Sequence, residues 1–160
     1  MLNNFLDLLT QAVKIATQAY PSSKFYEADG TTSQGLASAE NQVDTWRFVF
    51  LGPRQQTVWT TLYLTYQNGN FADLILKDEF FLGDAIIPLP IPMGLAKAIQ
   101  LKNSAGHSSP FKGVNLRQPL SPGNTEPFYI FSDSSSGSFI FVGVKSGNVT
   151  GLNIDGSALR

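Results

Sequence analysis

Residues 57–76 have the sequence TVWTTLYLTYQNGNFADLIL, in which a run of Thr, Leu and aromatic residues leads to an Asn-Gly pair. Side chains on a strand point alternately to the two faces of a sheet. One face carries Val58, Thr60, Leu62, Leu64 and Tyr66, and the other carries Trp59, Thr61, Tyr63 and Thr65. Asn68 and Gly69 both accept the positive φ angles of a tight turn. The stretch therefore predicts a long β-hairpin with its tip at Asn68-Gly69, whose second arm runs toward Phe81.

Two amphipathic helices are predicted outside this hairpin. The first ends near Tyr20, because Pro21 cannot continue a helix, and Asn3 or Asn4 supplies its N-cap. Its apolar stripe has helical spacing and consists of Leu2, Phe5, Leu6, Leu9, Ala12, Val13, Ala16 and Tyr20. The second follows Pro92 and covers Met93 to Lys102, with the stem of Lys102 turned inward.

Further strands are predicted on both sides of the second helix, with a loop from Ala28 to about Asn41. They cover residues 24–27, 44–51, 111–116, 127–131, 138–145 and 149–154. The two halves of the chain thus repeat the order helix, weak strand, aromatic strand and hairpin. We predict an α+β fold of antiparallel sheets, each covered by one helix, as a tandem repeat of two αβββ units. The units are residues 1–83 and 84–160, joined by a connector at 82–92, with one fused globular domain as the alternative.

Composition limits the classes of function. The chain has 160 residues, of which 42% are hydrophobic and 14% charged, against roughly 25% charged in average soluble proteins. A net charge of −1 and scattered basic residues do not predict nucleic-acid binding. The absence of cysteine excludes disulfides and Cys-ligated zinc within these residues. No apolar run is long enough for a membrane span, and the start at Met1 lacks the cationic region of a signal peptide. We expect a soluble chain and assign no compartment.

The sequence does not predict a catalytic, metal or cofactor site. His107 is the only histidine, and no Gly-x-Ser-x-Gly motif presents a nucleophile for it. We therefore expect His107 to lie in an exposed loop. Oxygen-rich segments at 29–32 and 133–137 lack the spacing of a calcium loop and are interpreted as turns. The expected function is non-enzymatic and needs no cofactor.

Two segments are candidates for a partner-binding surface. Trp59, Thr61 and Tyr63 form an aromatic row on one face of the hairpin, and aromatic residues are frequent at interface hot spots. The connector carries Ile86, Ile87, Leu89 and Ile91 between prolines. We expect a segment this apolar to be buried between the halves of the chain, or against a protein partner or a second copy.

Several segments together resemble a PepSY-type module. The likeness lies in the alanine-rich helix at 11–21, the aromatic strand Trp46 to Phe50, the hairpin tip and the similar second half ending at Gly147-Asn148-Val149. It implies a non-catalytic domain that binds or restrains a partner, often a peptidase, in an exported or envelope setting. The helix-on-sheet outline is also similar to cystatins, but residues 55–59 lack the glycine of their inhibitory motif.

The expected function is accordingly a non-enzymatic partner-binding or regulatory module, for which the PepSY resemblance implies restraint of a peptidase. The alternative is a small-ligand carrier with a cavity between helix and curved sheet, which a deep apolar pocket in the structure would favour.

Overall fold

The computed structural model describes residues 4–81, 83–135, 137–153 and 157. Within these residues the protein is α+β, with two helices and nine antiparallel strands. The elements are α1 (Phe5–Ala19), β1 (Lys24–Thr31), β2 (Thr45–Leu51), β3 (Thr61–Gln67), β4 (Asn70–Phe71), β5 (Ile75–Lys77), α2 (Leu95–Ser104), β6 (Phe111–Arg117), β7 (Phe128–Asp133), β8 (Phe139–Gly143) and β9 (Val149–Leu152).

All nine strands belong to one sheet, in the order β4-β3-β2-β1-β6-β7-β8-β9, with β5 also paired to β3. The two halves form one sheet rather than two, because β1 does not end at Glu27 as predicted. It continues to Thr31, and the predicted loop residues Ala28 to Thr31 pair with Leu116 to Gly113 of β6. This pairing joins the strands of the two halves edge to edge.

The hairpin tip is confirmed: Asn68 has φ 53° and Gly69 has φ 79°. The two arms differ from the prediction. The first begins at Thr61, because Gly52 N–H donates to Thr60 O at 2.9 Å and closes a loop over residues 52–60. The second arm is divided into β4 and β5 and ends at Lys77 rather than near Phe81.

Helix α1 begins as predicted, since Asn4 is the N-cap and its side-chain oxygen accepts from Asp7 N–H at 2.9 Å. Leu2 and Asn3 lie outside the described residues. The buried residues of α1 are Phe5, Leu8, Leu9, Ala12 and Ala16, of which Leu8 was not predicted. Helix α2 starts two residues later than predicted and ends at Ser104. Lys102 is buried as expected, and its ammonium donates to the carbonyls of His107 and Ser109.

One hydrophobic core lies between the helices and the sheet, and it includes residues of both halves. The Phe5 ring is 4.5 Å from Trp46 and 5.9 Å from Tyr129, between ring centroids. Tyr129 donates its hydroxyl proton to Met93 O at 2.7 Å. Burial of such aromatic side chains is the main source of stability in a core of this type.

Candidate functional site

A groove runs between helix α1 and residues 86–91, and we call it the helix–connector groove. One part has a volume of about 500 Å³ and is lined by Val13, Thr17, Ser23, Lys24, Phe25, Phe50 and residues 86–89. The adjoining part has about 450 Å³ and is lined by Leu6, Leu9, Thr10, Val13 and residues 89–91. Val13 and Leu89 line both parts. The volumes lie in the range of small-molecule sites, ~300–1,000 Å³.

The groove exists because the connector returns to the helix face of the sheet. Ile87 N–H donates to Phe25 O at 2.9 Å, at the start of β1. Ile87 and Ile91 then enter the core, whereas Ile86 and Leu89, both 42% exposed, remain outside. The alternation of buried and exposed residues leaves apolar side chains along an open wall opposite α1.

A second apolar surface lies beside the edge strand β5, and we call it the aromatic patch: Arg54, Val58, Trp59 and Phe80. Trp59 is 41% and Phe80 47% exposed, with their ring centroids 5.5 Å apart. The Arg54 guanidinium carbon lies 5.0 Å from the centre of the Trp59 ring, in cation–π geometry. The loop over residues 52–60 and the segment after β5 bring these residues together.

The structure divides the predicted partner-binding residues into four groups. Trp59 belongs to the aromatic patch, and Ile86 and Leu89 line the groove. Ile87 and Ile91 are core residues. Thr61 is fully buried and donates to Glu79 O at 2.7 Å, while Tyr63 is half-buried and donates its hydroxyl proton to the Glu79 carboxylate. The predicted row therefore does not form one surface, because the segment after β5 crosses Thr61 and Tyr63.

The sheet face away from the helices carries a charged cluster, formed by Glu27, Asp29, Arg47, Asp84 and Arg117. Arg47 donates to Asp29 Oδ2 through Nε at 3.1 Å and Nη2 at 2.7 Å. Arg117 Nη2 lies 2.7 Å from Asp84 Oδ1. Two guanidinium groups thus balance two of the three carboxyl groups.

Glu27 is the third carboxyl group, and its side chain is buried. Desolvation first, and then hydrogen bonding to and the charge of Asp29 and Asp84, raise the pKa of Glu27 to about 9. A pKa raised in this way favours the neutral, protonated form of Glu27. Its role was not predicted; the only signal in the sequence is that Glu27 and Asp29, two positions apart, share one face of a strand.

The contacts of Trp59 with Arg54 and Phe80, and the position of helix α1 opposite the connector, were not predicted. Phe80 follows Trp59 by 21 positions and α1 precedes the connector by about 70, so no local spacing connects these residues. Leu6 and Val13, half-buried residues of the predicted α1 stripe, are the one sequence feature that pointed to the groove.

The remaining candidates for chemistry have structural roles. His107 is half-buried after α2 rather than exposed. Asp133 closes a turn as expected, accepting from Ser135 N–H at 2.8 Å, whereas Asp29 lies within β1 and not in a turn. Among residues 4–81, 83–135, 137–153 and 157, no group of three or more His, Asp or Glu side chains is arranged to hold a metal ion.

Comparison with known proteins gives a fold but not a family. No family model and no curated protein matches the chain. Among solved structures, the chain is similar to the crystal structure of a "putative lipoprotein" from Clostridium difficile 630, with a TM-score of 0.58 and 12% identity. The likeness covers 92% of this chain and 96% of that one. At this identity it shows that the two chains share an α+β fold. Neither helix in the described part of the chain has the length and apolar character needed to cross a membrane.

Proposed function

We propose that this chain is a non-enzymatic module that binds a protein partner through the aromatic patch. The observation that carries the proposal is the exposed Trp59–Phe80 pair with Arg54 above it. Tryptophan and arginine are enriched among the residues that dominate interface energies, and a well-packed aromatic anchor is their usual setting. Covering a solvated aromatic pair of this size with a partner lowers the free energy, because apolar surface is removed from water.

The neighbouring edge strand gives the partner a second means of attachment. β5 pairs only with β3 in the described part of the chain, so its outer backbone groups face away from the sheet. An extended segment of the partner can add to such an edge while its side chains contact Trp59 and Phe80. Restraint of a peptidase, which the PepSY resemblance implies, is the form of partner binding that we propose. An exported or envelope setting fits the lipoprotein description of the structural neighbour.

The aromatic patch can be tested with selected peptides. Peptides chosen from a random display library on the immobilised chain are expected to lose at least tenfold in affinity with Trp59→Ala or Phe80→Ala, measured by calorimetry. Leu120→Ala, at another exposed apolar position, is the control and should leave affinity unchanged. Selected peptides that bind the double variant Trp59→Ala/Phe80→Ala as tightly as the wild type would contradict the proposal. Peptidase assays with and without the chain then test the restraint.

Light scattering after size-exclusion chromatography distinguishes self-association from binding of a different protein. A dimer that the double variant abolishes would identify a second copy as the partner. A monomer at all concentrations leaves a different protein as the partner, which the peptide experiment addresses.

The tandem arrangement of two αβββ units is also part of the proposal. The strand order runs 4-3-2-1 and then 6-7-8-9, so the two halves are arranged symmetrically about the β1–β6 pair. Helix α1 contacts β2 and β3, and α2 contacts β8, so each helix packs on strands of its own unit. Edge-to-edge joining of two similar units would produce this arrangement.

The helix–connector groove favours a second candidate function, the small-ligand carrier. Its walls come from α1, the start of β1 and the connector, and most lining residues are apolar. Ligand sites usually combine such walls with a few polar groups that orient the ligand.

A further inference from the structure

The helix–connector groove is elongated along α1. Its helix wall runs from Leu6 through Thr10 and Val13 to Thr17, which are neighbours on one side of the helix. Eleven helical steps separate Leu6 from Thr17, a length of about 16 Å at a rise of ~1.5 Å per residue. A groove of this length suits a linear apolar chain better than a compact ring system.

Both threonines on the helix wall have their hydroxyl groups engaged by the helix itself. Thr10 Oγ1 donates to Leu6 O at 2.9 Å, and Thr17 Oγ1 donates to Val13 O at 2.8 Å. Because both hydroxyl protons are donated within the helix, neither hydroxyl requires a polar partner from a ligand. The helix wall is therefore more apolar than its sequence indicates.

One end of the groove is polar. Ser23 is 6% exposed, lines the groove, and its Oγ has no hydrogen-bond partner among the described residues. A buried hydroxyl without a partner is unfavourable, and a ligand oxygen placed there would remove that penalty. Lys24, exposed beside it, forms no ion pair with a carboxylate of the described residues. No lining residue in the described chain is acidic.

The charge at this end favours an anion. Helix α1 ends at Ala19, so its C-terminal carbonyls contribute about half a negative charge near Ser23. Lys24 lines the same end, and its ammonium carries a full positive charge that attracts an anion. An acyl chain with a carboxylate head matches both the apolar walls and this end.

We propose that the groove binds a medium-chain fatty acid, with its alkyl chain between α1 and the connector and its carboxylate at Ser23 and Lys24. This inference rests on the carrier function above and specifies its ligand. Ser23 donates its hydroxyl proton to one carboxylate oxygen, and Lys24 pairs with the other. The bound alkyl chain covers Ile86 and Leu89, which the free protein exposes.

Binding along the groove is tested with octanoate, decanoate and dodecanoate, each below its micellar concentration, by calorimetry. Affinity should rise by up to about fourfold for each added methylene. Leu89→Trp fills the groove from the connector and Val13→Phe from the helix, and each should weaken dodecanoate binding at least tenfold. Leu36→Trp is the matched control, because Leu36 is 45% exposed but does not line the groove. Affinity unchanged in both filling variants would overturn the site.

The head group is tested by comparing dodecanoate with dodecanol. Ser23→Ala and Lys24→Gln should each weaken dodecanoate binding about tenfold and leave dodecanol binding nearly unchanged. If both ligands bind equally and neither variant matters, the carrier function stands and the carboxylate assignment fails. If neither ligand binds the wild type, both fail.

A lipid surface is the competing source of acyl chains. Binding is measured by sedimentation with phosphatidylcholine vesicles, with and without phosphatidylglycerol. We expect that Leu89→Trp does not weaken any vesicle binding. Vesicle binding that depends on Leu89, with no binding of free dodecanoate, would replace the fatty acid by a membrane as the occupant.

Discussion

Replacing Trp46 by alanine is expected to lower the free energy of unfolding by about 3–5 kcal/mol. The Trp46 ring is buried, 4.5 Å from the Phe5 ring and 6.2 Å from the Phe48 ring, between centroids. Alanine would leave a cavity that the helix and the strands cannot close without losing these contacts. Against a typical total stability of ~5–15 kcal/mol, the loss is large. Urea unfolding followed by circular dichroism measures it.

The second tryptophan of the chain gives a matched control. Trp59 is exposed in the aromatic patch, so Trp59→Ala should change stability by no more than about 0.5 kcal/mol. Comparable losses in the two variants would contradict the core position of Trp46.

A substitution at Gly30, which pairs with Trp46 from the neighbouring strand β1, tests the packing around Trp46 independently. A Cβ atom at Gly30 would lie 2.7 Å from two Trp46 ring carbons and 2.7 Å from a Val43 methyl group. Gly30→Ala alone should therefore destabilise by about 1–3 kcal/mol. In the Trp46→Ala background most of this cost should disappear, leaving the part due to Val43. Simple addition of the two losses would show that the residues do not share a contact.

Replacing Glu27 by glutamine is expected to stabilise the protein at alkaline pH by an amount on the order of 1–3 kcal/mol. Burial raises the pKa of Glu27 to about 9 in the folded protein, from its ordinary value of 4.5. Between these two pH values the folded state binds a proton that the unfolded state has released. Wild-type stability should therefore fall as pH rises from about 4.5 to about 9. Glutamine carries no charge at any pH, so the fall should be absent in Glu27→Gln.

The measurement is the difference in unfolding free energy between Glu27→Gln and wild type across pH 4–9. It should be small at pH 4 and grow toward pH 9. A constant difference, or one that shrinks with pH, would show that Glu27 is ionised in the folded protein.

Glu126 gives a control in which the pH dependence of stability has the opposite sign. Although burial raises the pKa of Glu126, the hydrogen bonds from Ser146 and Lys145 N–H outweigh this and lower it. Its stabilising contribution is present above the unfolded pKa and is lost as pH falls through the folded pKa. Glu126→Gln should thus destabilise at pH 7 and have little effect at pH 3, measured by the same unfolding experiments.

Local features of the chain were predicted well, since they depend on neighbours in sequence. Asn68-Gly69 was found at the hairpin tip because positive φ angles are a property of those residues. The alternation of Leu62, Leu64 and Tyr66 correctly indicated the buried face of β3. Prediction failed at residues 28–31, where Asp and Gly are poor strand formers in isolation. There the pairing with β6 outweighs local preference.

The candidate site was predicted only in part. Trp59, Ile86 and Leu89 were named from their apolar character and are exposed. Thr61 was named as a member of the row on one strand face, and Ile87 and Ile91 for their apolar character, but all three are buried. Exposure in such segments depends on which distant residues cover them, and sequence spacing carries no information about that.

The type of each helix and most strands, the turn between β3 and β4, and the absence of cysteine chemistry follow from the residues themselves, because periodicity and turn preference act over a few positions. Three features arise from long-range pairing alone: the β1–β6 junction that makes one sheet, the groove that sets α1 against a connector about 70 residues away, and the buried Glu27 between Asp29 and Asp84. Each requires segments far apart in the chain to meet, and their meeting depends on how the whole core packs rather than on any one segment.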